Sequence, residues 1–302
     1  MTIILEGGLG NRMRAAVSAY AMMRQTGVSS RVLWLPQWGM HCRFDELFLP
    51  VEAEGCEVCD GAEGFELRDA DSVEQCFYAR PTLRNLHLPL LLQWVRHRGR
   101  VLSSSRVLEL SRQDFDFATW CRRGNPLMCS YRDFFPWRSA DLRHLFQPNE
   151  QVQRLIRERC KDFTSHTIGI HIRRTDHQQA ISDSPLELFI EAIDRELALP
   201  RTGGAGSGTS IFLATDDEAT KQALLGRYGQ RVITSPNKAT RDSAEGIQEA
   251  LAEMVALSRT DKIYGSANST FSQIAACLGD IPIEILTRHG LGESNLKVKK
   301  RV

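Results

Sequence analysis

The residues able to do chemistry gather where apolar runs end. Ser165 to Asp176 reads Ser-His-Thr-Ile-Gly-Ile-His-Ile-Arg-Arg-Thr-Asp, an apolar run from Thr167 to Ile172 that breaks into two arginines and a carboxylate. Such a run is the pattern of a buried strand reaching its edge. In open α/β sheets, ligands sit beyond the carboxyl ends of the strands. Alternation along a strand would put His171 and Arg173 on one face and Arg174 on the other. A guanidinium held there suits a phosphate, through two parallel hydrogen bonds; the competing reading is an arginine pair in surface salt bridges. Two further polar clusters follow apolar runs, Thr215-Asp216-Asp217 and Asn268-Ser269-Thr270-Phe271-Ser272. The second opens a helix, where free backbone N–H groups and the positive end of the dipole suit a diphosphate. Taken singly, these clusters also fit plain helix capping, by an aspartate before Glu218 and by Ser269 or Thr270. Together they favour a nucleotide-diphosphate pocket.

Near the start, Gly7-Gly8-Leu9-Gly10-Asn11 joins a short strand, Thr2 to Glu6, to a helix expected over Arg12 to Gln25, with Met13, Val17, Tyr20 and Ala21 inward. Backbone can approach an anion or a sugar closely at such a turn, although it can equally serve only to pack helix on sheet. No Gly-Lys-Ser/Thr follows, so it is not a P-loop, and Met13 stands at the last glycine position of a dinucleotide fingerprint. Cys56-Glu57-Val58-Cys59, with His41, Cys42 or Cys76 as further ligands, is a weak zinc pattern because no second Cys-x-x-Cys exists; a cysteine-containing loop is the preferred reading. Asp69-Ala70-Asp71 follows no apolar strand and is not expected to hold a metal.

These groups must be carried by regular elements. Further strands are expected at Val32 to Leu35, Pro126 to Arg132, Ile211 to Ala214, Arg231 to Thr234, Lys262 to Tyr264 and Ile283 to Leu286, the last closing the series. Helices are expected at Leu83 to Arg98, Asn149 to Phe163, Pro185 to Leu199, Glu218 to Tyr228, Ala244 to Leu257 and Phe271 to Leu278. Pro36 to Arg84 shows no period and reads as loops with short elements, and the Gly/Ser-rich Arg201 to Thr209 reads as a loop. Strands alternating with helices mean a parallel sheet covered on both faces. The expectation is an α/β protein of two Rossmann-like domains facing each other across a cleft, residues 1–148 and 149–302.

The 302 residues suffice for two such domains. A hydrophobic share of 42% and a charged share of 25% are ordinary for a globular protein, and a net charge of +1 argues against a nucleic-acid partner. No apolar run approaches a membrane span. The apolar stretch after Met1 is too short for a signal peptide, and the eight scattered cysteines read as mostly reduced, so a cytoplasmic location is expected.

Three segments carry a family resemblance. Gly7 to Met13 looks like the opening turn of the α-1,2 fucosyltransferases, which usually have glutamine where Arg12 stands. His171-Ile172-Arg173-Arg174-Thr175-Asp176 looks like the His-x-Arg-Arg-x-Asp motif of the α-1,2 and α-1,6 groups. Ala214 to Asp217, with Ser258 to Asp261 and Ser269 to Ser272, resembles the last motifs of the α-1,6 group. The chain thus resembles the inverting fucosyltransferase superfamily, which includes the bacterial nodulation fucosyltransferase and the protein O-fucosyltransferases. The resemblance implies a GT-B fold, GDP-β-L-fucose as donor, a glycan or other hydroxyl acceptor, inversion at the anomeric carbon, and no required metal or cofactor. It places Arg173 on the donor diphosphate with Arg174 and Asp216 beside it. It sets His171 at the border of the guanosine site, Glu253 on guanine, and Ser269, Thr270 and Ser272 on the phosphates, with Phe271 in the same nucleotide-sugar site. Gly8, Gly10 and Asn11 fall in the sugar- and acceptor-side turn. The α-1,6 group has its catalytic glutamate where Ile181 stands here, which leaves Asp183, then Asp176, as candidate bases. A different nucleotide sugar, or a non-catalytic glycan- or nucleotide-binding relative, are the alternatives.

Overall fold

The computed structural model of the chain describes residues 1–36, 40–61, 95–174, 178–200, 208–237, 240–288 and 290–292. The described residues divide into two units, one holding Met1–Asn149 with Arg241–Ile247, the other holding Glu150–Thr240 and the residues from Gln248 to Gly292.

The first unit is built on a five-stranded parallel sheet in the order β3-β2-β1-β5-β4, with β1 at Thr2–Leu5, β2 at Ser30–Leu33, β3 at Cys56–Cys59, β4 at Val101–Leu102 and β5 at Leu127–Ser130. Helix α1, Leu9–Thr26, is buried along almost its whole length rather than on one stripe. Three of its polar side chains are therefore inside: Ser18 Oγ accepts from Phe134 N and donates to Phe135 O, Arg14 Nε donates to Tyr131 O, and Arg12 donates through Nε and Nη1 while its Nη2 has no hydrogen-bond partner among the described residues. The helix stops at Gly27, whose φ of 71° lets its N–H close back on Met23 O.

Cys56–Cys59 is not a loop but a strand paired in parallel with β2, Cys56 opposite Ser30 and Cys59 opposite Leu33. An odd spacing along a strand sends the two thiols to opposite faces, and burial pushes Cys56 up to about 12. The described cysteines are free thiols. The expected Leu83 to Arg98 helix falls largely, and Asp69, Asp71 and Cys76 fall wholly, outside the described residues.

The second unit is a six-stranded sheet in the order β11-β10-β9-β6-β7-β8. Its strands are β6 Thr167–Ile172, β7 Ser210–Thr215, β8 Val232–Thr234, β9 Lys262–Ser266, β10 Ile283–Thr287 and β11 Gly290–Gly292. All pairings are parallel except β10 with β11, an added antiparallel edge strand that continues the series past Leu286. Ile168, Ile170 and Ile172 of β6 pack with Phe189 and Ile193 of a helix at Leu186–Ala198, forming an apolar core of fully buried side chains. The remaining helices of this unit that bear on the site are Glu150–Cys160, Gln178–Asp183, Glu218–Tyr228, Ala244–Leu257 and Thr270–Gly279. Asp217 caps the helix at Glu218, accepting from Thr220 N at 2.7 Å and from Thr220 Oγ1 at 2.6 Å. Among the described residues, no helix is long and apolar enough to cross a membrane.

Candidate nucleotide site at the carboxyl edge of the second sheet

Register brings the three polar clusters to one edge. His171 lies opposite Ala214 of β7 on one side and Gly265 of β9 on the other. Parallel pairing then delivers Arg173, Asp216 and the turn after Ser266 side by side. Strand β6 ends at Ile172, so alternation no longer governs the two arginines. Their backbone is set instead by neighbours. Arg173 N donates to Ser266 Oγ at 3.1 Å, and that hydroxyl donates to His171 O at 3.3 Å. Arg174 N donates to Asp216 Oδ1 at 2.7 Å, so Asp216 holds the backbone of this segment. Arg174 Nη1 donates to Ile181 O at 3.3 Å, while its Nη2 is buried with no hydrogen-bond partner among the described residues.

The His171 ring stacks on Phe271 with centroids 4.8 Å apart and planes 21° apart. Burial, with Arg173 adding and Asp216 opposing, pulls His171 down to about 4. The ring is therefore neutral at physiological pH, and its Nδ1 is buried without a partner among the described residues. The helix at Thr270 begins after Asn268, which adopts φ 56°, a left-handed conformation that asparagine tolerates. Ser269 occupies the capping position but makes no side-chain cap. The competing reading of Ser269 as an ordinary N-cap is therefore not what the structure shows. The hydroxyls of Ser269 and Ser272 are buried and have no partner among the described residues, and Thr270 lies between them at the start of the helix. Buried polar atoms without partners cost free energy unless something satisfies them. Four of them, on His171, Arg174, Ser269 and Ser272, lie along one sheet edge beside a ten-residue helix's free N–H groups; the arrangement suits an anionic ligand with a polar, planar attachment.

Gly265 lets this helix come so close. A Cβ there would stand 2.5 Å from Ser272 Oγ and 3.0 Å from Ser272 Cβ. Gly265→Ala is expected to push the helix start away and weaken nucleotide binding at least tenfold, with a loss of stability of about 1–3 kcal/mol; parallel calorimetric titration and thermal unfolding check it.

Asp183 ends the helix at Gln178–Asp183 and is partly buried, with its carbonyl accepting Arg288 N at 2.8 Å. The next residue fixes its place: Ser184 Oγ donates to Leu286 O at 2.6 Å and accepts from Ala267 N at 2.8 Å. Asp183 thus stands beside the ends of β9 and β10, at the edge that bears Ser269. Asp176 lies outside the described residues. Glu253 is buried on the inner face of the helix at Ala244–Leu257, with Arg159, Glu249, Lys221 and Asp216 in electrostatic reach. Ser266, Ser184, Gly265, Arg159 and Glu249 escaped sequence reasoning. A small or hydroxyl residue closing an apolar strand run is the signal that pointed toward Ser266 and Gly265; nothing local marked the others.

In the first unit, Gly7 takes φ 76° and a Cβ on it would lie 2.9 Å from Asn11 Nδ2. Gly8 precedes α1 and Gly10 lies in its first turn. Arg12 anchors this turn, with Nε on Gly7 O at 2.9 Å, Nη1 on Leu35 O at 2.7 Å and its guanidinium 5.5 Å from the Trp34 ring centre. Burial pulls Arg12 down to about 9. A cavity of about 440 Å³ in this unit lies at the opposite, amino edge of the sheet, against Thr2, Ser30, Cys56 and Asn125. It is separate from the turn. Among the described residues, no three His, Cys, Asp or Glu side chains are grouped as metal ligands.

No family model and no curated protein sequence matches the chain. Solved structures do. NodZ α-1,6-fucosyltransferase soaked with GDP-fucose superposes with a TM-score of 0.64 at 19% identity, covering 97% of each chain. Selenomethionine NodZ from Bradyrhizobium gives 0.65 at 19% identity, over 97% of this chain and 96% of that one. The fold is that of the fucosyltransferases. Arabidopsis thaliana FUT1 in complex with GDP also shares it, with a TM-score of 0.60 at 17% identity over 99% of this chain and 74% of that one. The two parallel-sheet units are accordingly the GT-B architecture expected from the sequence. Within this fold, the carboxyl edge of the second sheet brings together four buried polar atoms that have no partner among the described residues.

Proposed function

We propose that this protein is an inverting glycosyltransferase that moves L-fucose from GDP-fucose to a hydroxyl acceptor, without a required metal. The observation that carries the reading is the row of unsatisfied buried polar atoms at His171, Arg174, Ser269 and Ser272, in a fold shared with structures that hold GDP-fucose or GDP.

Breaking the bond from sugar to diphosphate builds negative charge on the leaving oxygen and positive charge on the ring. Arg173 and Arg174 supply guanidinium charge, and Ser269, Thr270 and Ser272 supply donors at a helix start; fixed donors aimed at developing charge are the largest catalytic term in many enzymes. His171, stacked on Phe271, borders the guanosine, Asp216 holds the arginine segment, and Glu253 reads the guanine edge. Asp183, or failing it Asp176, takes the acceptor proton as general base. In the first unit, the helix start at Gly8, Gly10 and Asn11 offers backbone N–H groups suited to a sugar or an anion. The free thiols support action in the cytoplasm.

A nucleotide-release screen over GDP-, UDP-, ADP- and CDP-sugars, followed by an acceptor screen, tests this reading. GDP-fucose should be the consumed donor, and EDTA should leave the rate unchanged. Consumption of a UDP-sugar alone, or binding with no turnover against any acceptor, would overturn it.

A further inference from the structure

The helix at Ala244–Leu257 turns Gln248, Glu249 and Glu253 inward, each less than a tenth exposed. Glu249 and Glu253, four residues apart, share one face, but they are treated differently. Glu249 forms an ion pair with Arg159 and also accepts from Asn237 Nδ2 at 2.8 Å. Gln248 is met by Gln151 Nε2 at 2.8 Å. Glu253 makes no hydrogen bond or ion pair among the described residues. The charges facing it come from four elements. Arg159 belongs to the helix at Glu150–Cys160, Lys221 to the helix at Glu218–Tyr228, Asp216 to the turn before that helix, and Glu249 to its own helix. The two cations are balanced by the two carboxylates, and Lys221 is further engaged by Ser235 O at 2.7 Å and Glu218 at 3.7 Å. Glu253 is thus a buried carboxyl with no counter-charge of its own. Burial, with Glu249 and Asp216 adding, pushes it up to about 8.

We propose that Glu253 is a neutral carboxylic acid in the empty protein and gives up its proton when a guanine base docks on it, so that nucleotide binding releases one proton. This rests on the reading of Glu253 as the guanine contact. Guanine presents its N1–H and N2–H groups side by side. A carboxylate offers two acceptors to such an edge, whereas a carboxylic acid offers one acceptor and one clashing donor. Docking therefore requires the O–H bond to break: the electron pair stays on the carboxylate, the proton passes to solvent, and two N–H···O bonds form. Those charge-assisted bonds stabilise the ion that burial alone disfavours. A base lacking two adjacent donors cannot drive the exchange, which makes the protonation state of Glu253 part of the discrimination.

The test is calorimetric titration of the wild-type protein with GDP at pH 7 in two buffers of different ionisation enthalpy, then across pH 6 to 8.5. The expected result is release of about one proton and an affinity that rises about tenfold per pH unit below pH 8, then levels off. Glu253→Gln should bind GDP more weakly, release no proton and show a flat profile. The empty protein supplies a second readout. The folded pKa lies above the ordinary carboxyl value, so the native state holds the extra proton and stability from this group is lost as pH rises toward 8. His171, whose shift acts only below about pH 6.5, is silent between pH 6.5 and 8. The fall in thermal midpoint over that window should therefore disappear in Glu253→Gln. GDP binding without proton release, or release that persists in Glu253→Gln, overturns the inference. Absence of GDP binding at every pH overturns the nucleotide assignment, and this inference with it. If the variant fails to fold, the two-buffer titration of the wild-type protein decides by itself.

Discussion

Arg173→Ala should lower kcat for transfer from GDP-fucose by about 10²–10³, an amount that matches removal of one fixed donor from developing transition-state charge. The effect belongs in kcat more than in KM for the donor, because the leaving diphosphate gains charge only as the bond breaks. The backbone at this position is held by Ser266 Oγ, and the truncated side chain lies past the end of β6, so the sheet should fold unchanged. Steady-state kinetics and a thermal midpoint on the same preparation separate the two outcomes. Unchanged kcat would remove Arg173 from the leaving-group role. Arg173→Lys should recover only part of the loss, since an ammonium keeps the charge but not the planar fork.

Gly279→Ala is expected to be the most damaging glycine substitution for stability. A Cβ at Gly279 would stand 2.0 Å from Ser258 O and 2.9 Å from Ser258 C. The clash is with backbone, so no rotamer relieves it. Alanine would gain about 1 kcal/mol of helix propensity, but forcing two chain segments apart costs about 3 kcal/mol or more. The balance is destabilising, by about 2 kcal/mol at the least, and should appear as a thermal midpoint lowered by several degrees. Gly226, inside the helix at Glu218–Tyr228, has nothing within 4 Å of its would-be Cβ. Gly226→Ala should therefore show the propensity gain alone, about 1 kcal/mol of added stability. Equal effects at the two sites would show that the close approach at Ser258 does not govern this packing.

Much of the architecture could be read from local pattern. Thr167–Ile172, Glu218–Tyr228 and Ala244–Leu257 take the spans their periodicity demanded, because a hydrophobic period is a relation among residues one or two turns apart. The polar clusters at strand ends were visible for the same reason, as abrupt changes of residue type. Partnership was not visible. Sequence offered no means of knowing that Ser266, 93 residues from Arg173, would hold its backbone. Nor did it show that Arg159 would choose Glu249, 90 residues away along the chain, over Glu253. Pattern alone left Ser269 open between a cap and a ligand group, and it makes no cap; Cys56–Cys59 looked like a loop and is a strand because β2 lies alongside it. Local order follows from which side chains must leave water. Which buried polar atom finds a partner, and which is left for a ligand, is a competition among groups distant in the chain, and only their packing in space decides it.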